Sequence, residues 1–126
     1  MEDRKRHEEG MKIRREILGN AHVDRAISQE NEFTADFQDL ITRYAWGELW
    51  ARPGLDKKTR SLITIGMMIA LNRADELRLH LHGALNNSVT HEEIREVLLH
   101  SAIYCGVPAA NSAFHIAVEF LAEAKR

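Results

Sequence analysis

The sequence predicts an all-α chain, and three observations lead there. Only two prolines and seven glycines interrupt 126 residues. Between them apolar side chains recur every three or four positions, the period of a helix with one buried face. No stretch alternates apolar and polar residues as a half-buried strand would. The length suits one domain over residues 1–126, a bundle of about six helices.

The first helix is predicted over Asp3 to Leu18, with Met11, Ile13, Ile17 and Leu18 as its apolar stripe and Gly19-Asn20 as its stop. Val23 to Gln29 has the pattern of a short helix. A second main helix follows, with Phe33, Phe37, Leu40, Ile41 and Tyr44 at spacings of three and four on its inward face. Arg52-Pro53-Gly54 breaks that pattern. Asp56 is placed to cap a third helix running through Leu71, so apolar from Ser61 onward that burial on most sides is expected. A fourth helix covers Ala74 to Leu85 and ends in the turn residues Asn86-Asn87-Ser88. Thr90-x-x-Glu93 is a capping box opening a fifth, with Ile94, Val97, Leu98, Ala102 and Ile103 inward. Pro108 stands where a first-turn proline is tolerated in a sixth helix reaching toward Lys125.

Composition closes off several classes of function. A formal net charge of −2 gives no basic face for nucleic acid. The basic run Arg4-Lys5-Arg6 is offset by Glu2, Asp3, Glu8 and Glu9. No segment approaches the length of an apolar membrane span, and the N-terminus has no apolar signal core. The single cysteine, Cys105, excludes an intrachain disulfide and a dithiol cycle. A cytoplasmic protein is expected.

The chemistry-bearing residues concentrate between Tyr44 and Ala113. Glu76 and His80 lie one helical turn apart, with Arg73 three residues earlier, so a guanidinium, a carboxylate and a proton carrier can share one face. Such a face either binds an anion and moves a proton or is an ordinary solvated ion-pair surface. His82, about 200° further around the helix, faces elsewhere. No HExxH or Cys/His cluster is present, so no metal site is expected. Trp46 and Trp50 form an aromatic face with Glu48 turned away from it, a pocket wall or an anchor. Arg60, at the start of the most apolar helix, calls for a carboxylate partner or an anionic ligand.

Four segments together resemble one family: Trp46-Gly47-x-x-Trp50-x-Arg52-Pro53-Gly54-Leu55, Thr59-Arg60-Ser61-Leu62, Glu76-Leu77-x-x-His80 and Tyr104-Cys105-Gly106-x-Pro108-Ala109-Ala110. They are similar to the carboxymuconolactone decarboxylases, and the likeness extends over nearly the whole chain. One departure is Ser88, where the family usually has glycine. The fold implied is that of alkylhydroperoxidase D. Aligning the histidine of that protein with His80 puts its two cysteines at Arg73 and Glu76, where this chain has no thiol. The resemblance implies cofactor-free decarboxylation of a dicarboxylate lactone, 4-carboxymuconolactone. It implies His80 as general acid, Glu76 as its orienting partner, Arg73 and Arg60 as substrate-binding cations, and Glu48 and Trp46 as further substrate-binding candidates. It also implies a homo-oligomer, hexamer or trimer, with no metal, no nucleic acid and no membrane.

Overall fold

The structure, a computed structural model, describes residues 2–124. Among these there is no strand. Seven α-helices and one π-helix follow in order: α1 Asp3–Leu18, α2 Asn20–Ser28, α3 Ala35–Ile41, the π-helix Thr42–Leu49, α4 Lys57–Ala70, α5 Ala74–Asn86, α6 His91–Tyr104 and α7 Val107–Ala124. The all-α expectation holds. The short segment before α3 is a helix in its own right, which makes seven where about six were expected. The predicted end of the last helix at Lys125 lies outside the described residues.

The chain divides into two compact units, one through Lys57 and one from Lys58 onward. In the first unit, α1 packs on the π-helix across two glycines. A methyl on Gly10 would run into the Thr42 carbonyl oxygen and the Gly47 nitrogen, and one on Gly47 would run into the Arg6 carbonyl. Only hydrogen at these positions lets the two backbones lie this close. Arg6 bridges the same pair through Nε to Glu48 at 3.3 Å. Ile13, Ile17, Leu18, Val23, Trp46 and Trp50 fill the interior. Gly19 turns the chain sharply between α1 and α2 at φ 89° and ψ 147°, a region other residues scarcely enter.

The sequence misplaces the inward face of the second predicted helix. Phe37, Leu40 and Tyr44 are exposed, and Thr42, Trp46 and Gly47 are buried instead. The cause is the switch of winding at Thr42. In a π-helix each N–H reaches five residues back, as Trp50 N–H does to the Ala45 carbonyl at 2.9 Å, so an α-helical projection loses phase there.

In the second unit, Ile65 and Ile69 of α4 join Leu77, Leu81 and Ala84 of α5, Ile94 and Leu98 of α6, and Ala113, Ala117 and Phe120 of α7 in one core. The expectation that α4 is covered on most sides is not met in the isolated chain. Its Ser61-Ile65-Ile69 stripe is buried, but Ile63 and Met67 are exposed. The predicted capping box is present: Glu93 N–H donates to Thr90 Oγ1 at 3.1 Å and Thr90 N–H to Glu93 Oε1 at 2.9 Å. Lys58 Nζ lies 3.0 Å from the same carboxylate. Ser88 sits at φ 66°, the left-handed region that favours glycine.

Candidate active site

The start of α5 is built by a tight turn. Asn72 adopts φ 57°, which asparagine tolerates better than most residues, and reverses the chain after α4. Arg73 then occupies the N-cap position rather than the helix itself, with φ −107° and ψ 82°. From there its Nη2 donates to Glu76 Oε1 at 3.1 Å. Leu77 and Leu81 are buried in the core, which fixes the rotation of α5 and sets Arg73, Glu76 and His80 on a more open side. Arg73 is exposed and Glu76 and His80 are half-buried, so the group remains accessible to a small molecule.

Glu76 is held as an anion. Its carboxyl lies below the ordinary glutamate range, first because its own backbone N–H bonds to it, against partial desolvation. The Arg73 charge and hydrogen bond, and the positive charge of His80, lower it further. Its place in the first turn, where the helix dipole favours negative charge, acts in the same direction. His82 is turned elsewhere, its ring meeting Phe120 of α7 edge-on at 6.4 Å.

Arg60 is half-buried in the first turn of α4. In the N-terminal unit, Glu48 is engaged by Arg6. Trp46 is buried against Trp50, ring centroids 5.0 Å apart, as a packing anchor would be. An apolar groove of about 540 Å³ between α4 and α6 contains none of the candidates. Glu92, Glu93 and Glu96 on its wall have the wrong charge for a dicarboxylate. Among the described residues no three His, Cys, Asp or Glu side chains cluster as metal ligands.

One polar residue escaped the sequence reading. Arg14, on the inward side of α1, is 5% exposed. Its signal was its register, four residues from Gly10 and from Leu18, both buried.

An all-helical chain with Arg73 at the N-cap of α5, Glu76 and His80 within that helix, and no thiol among them, fits the small carboxy-lyases. The chain belongs to the carboxymuconolactone decarboxylase family, which matches residues 35–119. It is 50% identical to a 4-carboxymuconolactone decarboxylase of Acinetobacter baylyi over 119 residues, covering 94% of this chain and 89% of the relative. It is 49% identical to the nitrosuccinic acid decarboxylase npaB of Metarhizium robertsii over 106 residues, 84% of this chain and 74% of that protein. A 4-carboxymuconolactone decarboxylase sequence from Pseudomonas putida is 46% identical over 48 residues, all of that sequence and 38% of this chain.

Proposed function

We propose that the protein decarboxylates 4-carboxymuconolactone to the enol-lactone of 3-oxoadipate, using the Arg73–Glu76–His80 group. The likeness to a 4-carboxymuconolactone decarboxylase over 94% of the chain supports the substrate. The observation that carries the mechanism is the anionic Glu76 bonded to the Arg73 guanidinium one helical turn from the His80 imidazole.

The chemistry asks little of the protein beyond charge and one proton. The departing carboxylate sits on the lactone carbon gamma to the carbonyl, across a C=C bond. Loss of CO₂ sends the electron pair through that bond onto the lactone carbonyl oxygen, giving a dienolate, so the substrate is its own electron sink. Arg73 and Arg60 bind its carboxylates, Arg suiting this task through its forked donors. His80, kept protonated by Glu76, delivers the proton to carbon. Glu48 and Trp46 are second-tier contributors to substrate binding.

A second substrate is favoured by one observation, the 49% identity to a nitrosuccinic acid decarboxylase. A nitro group accepts the electron pair left on the neighbouring carbon by CO₂ loss, as the conjugated lactone carbonyl does, so the same cation–acid pair serves either substrate. Purified protein should release CO₂ from freshly prepared 4-carboxymuconolactone at a higher kcat/KM than from nitrosuccinate. The reverse order transfers the assignment to the nitro acid. Turnover of neither by folded protein sinks both readings.

Glu76→Gln provides a test through pH. An acid that must be protonated works below its pKa, so kcat falls as pH rises through it. Removing the Glu76 charge withdraws support for the imidazolium, and the alkaline limb of kcat should move to lower pH. An unmoved limb removes Glu76 from the mechanism.

The working form is a homo-oligomer, a hexamer or trimer, in the cytoplasm. Exposed Ile63, Met67, Leu99 and Ile103 supply apolar surface for subunit contacts. No helix among the described residues is long and apolar enough to cross a membrane.

A further inference from the structure

The N-terminal unit contains a cavity of about 330 Å³ whose wall includes Arg14. That volume is at the lower end of the range for small-molecule sites. Arg14 is the most deeply buried charged side chain among the described residues. It donates from Nη1 to Thr42 Oγ1 at 3.2 Å and from Nη2 to Gln38 Oε1 at 3.0 Å. Both acceptors are neutral, and both also line the cavity. The buried Nε has no acceptor, and among the described residues no carboxylate lies within ion-pair distance of the guanidinium.

This is an unusual state for a buried arginine. Buried charges are ordinarily paired, because an isolated one loses its hydration without compensation. Burial does disfavour the charged form here, with Glu30, which also lines the cavity, pulling the other way. A guanidinium has five N–H donors, and the Nε edge, which lacks an acceptor, suits two parallel bonds to a planar carboxylate. Asp39, also on the wall, is paired with Arg43 Nε at 2.8 Å, and His7 Nε2 lies 3.6 Å from its other oxygen. Met11, Ile27 and Ala35 also line the cavity and give it apolar surface.

We propose that this cavity is a second small-molecule site, for a short-chain carboxylate, with Arg14 as its anchor. The carboxylate takes the Nε edge and a short hydrocarbon body lies on Met11, Ile27 and Ala35. A tetrahedral phosphate satisfies the guanidinium but leaves the apolar wall unused. None of Arg73, Glu76 or His80 belongs to this cavity, so the proposal stands independently of the catalytic reading.

The test is calorimetric titration with butyrate of a protein carrying Arg73→Ala and His80→Ala, which removes the cation and the imidazole of α5 from competition. One butyrate per chain should bind. Adding Arg14→Gln should weaken binding at least about tenfold. Because Arg14 also braces α1 against Thr42 and Gln38, a second variant guards against misfolding. Ala35→Phe fills the cavity from α3, leaves the guanidinium in place, and should abolish uptake with an unchanged helical circular-dichroism signal. Glu30→Gln should tighten binding by removing a repelling carboxylate. The proposal is overturned if the background protein takes up no butyrate, or if uptake survives both Arg14→Gln and Ala35→Phe. Inorganic phosphate binding as tightly as butyrate overturns the carboxylate assignment.

Discussion

Replacing His80 with alanine is expected to lower kcat on 4-carboxymuconolactone by about 10²–10⁴-fold, the range for losing a positioned general acid. KM should change far less, because proton delivery to carbon takes place only in the transition state, whereas the substrate carboxylates are bound by arginine in the ground state as well. The control lies two residues away. His82 meets Phe120 edge-on and points away from Glu76 and His80, so His82→Ala should keep turnover within about threefold of wild type. Steady-state rates of CO₂ release for the three proteins decide the matter. A His80→Ala variant as fast as wild type would remove the imidazole from the chemistry and leave the two arginines as the machinery.

Gly10→Ala and Gly47→Ala should each destabilise the protein by about 3 kcal/mol, the upper end for overpacking, and lower Tm by about 10 °C. A Cβ at Gly10 meets the Thr42 carbonyl and the Gly47 nitrogen, and one at Gly47 meets the Arg6 carbonyl. All are backbone atoms, which cannot swing aside as a side chain tip can, so α1 and the π-helix must separate. That opening also disturbs Arg14–Thr42 and Arg6–Glu48, which join the same two elements. Gly54 supplies the contrast: a Cβ there meets nothing within 4 Å. Gly54→Ala should therefore fall within about 0.5 kcal/mol of wild type in urea unfolding. Equal midpoints for Gly10→Ala and Gly54→Ala would contradict the close crossing described here.

Much of the fold was legible because its signals are local. Thr90 and Glu93 start α6 through bonds spanning three residues, and Gly19 ends α1 through its own φ. Each needs no knowledge of distant chain. Failures came where distant packing decides. Phe37, Leu40 and Tyr44 have faultless α-helical spacing, yet the π-helix rotates burial onto Thr42, Trp46 and Gly47. The exposed side of α4, with Ile63 and Met67, reads as core because residue hydrophobicity does not reveal which surface covers it. The contact of Arg73 with Glu76 was legible from i,i+3 spacing, although Arg73 proved to sit at the N-cap and not in the helix. Arg14 was not legible as a site residue. Its cavity is assembled from α1, α2, α3 and the π-helix, and a single arginine among several on α1 gives no sign of it.

The π-helix places an unusual constraint on this stretch of chain, one of length more than identity. A π turn is an α turn holding one additional residue, and eight successive residues from Thr42 keep that winding. Most single substitutions on its exposed side leave the winding alone. Deleting any one residue between Thr42 and Leu49 would instead turn everything downstream by about 100°, one α-helical step. A deletion at Gly47, Glu48 or Leu49 would take Trp50 from the flank of Trp46, and one between Thr42 and Trp46 would rotate Gly47 away from Arg6, even if every remaining side chain were unchanged. Among descendants of this sequence, insertions and deletions should therefore be scarcer here than amino-acid exchanges, and should collect in the loop from Ala51 to Asp56.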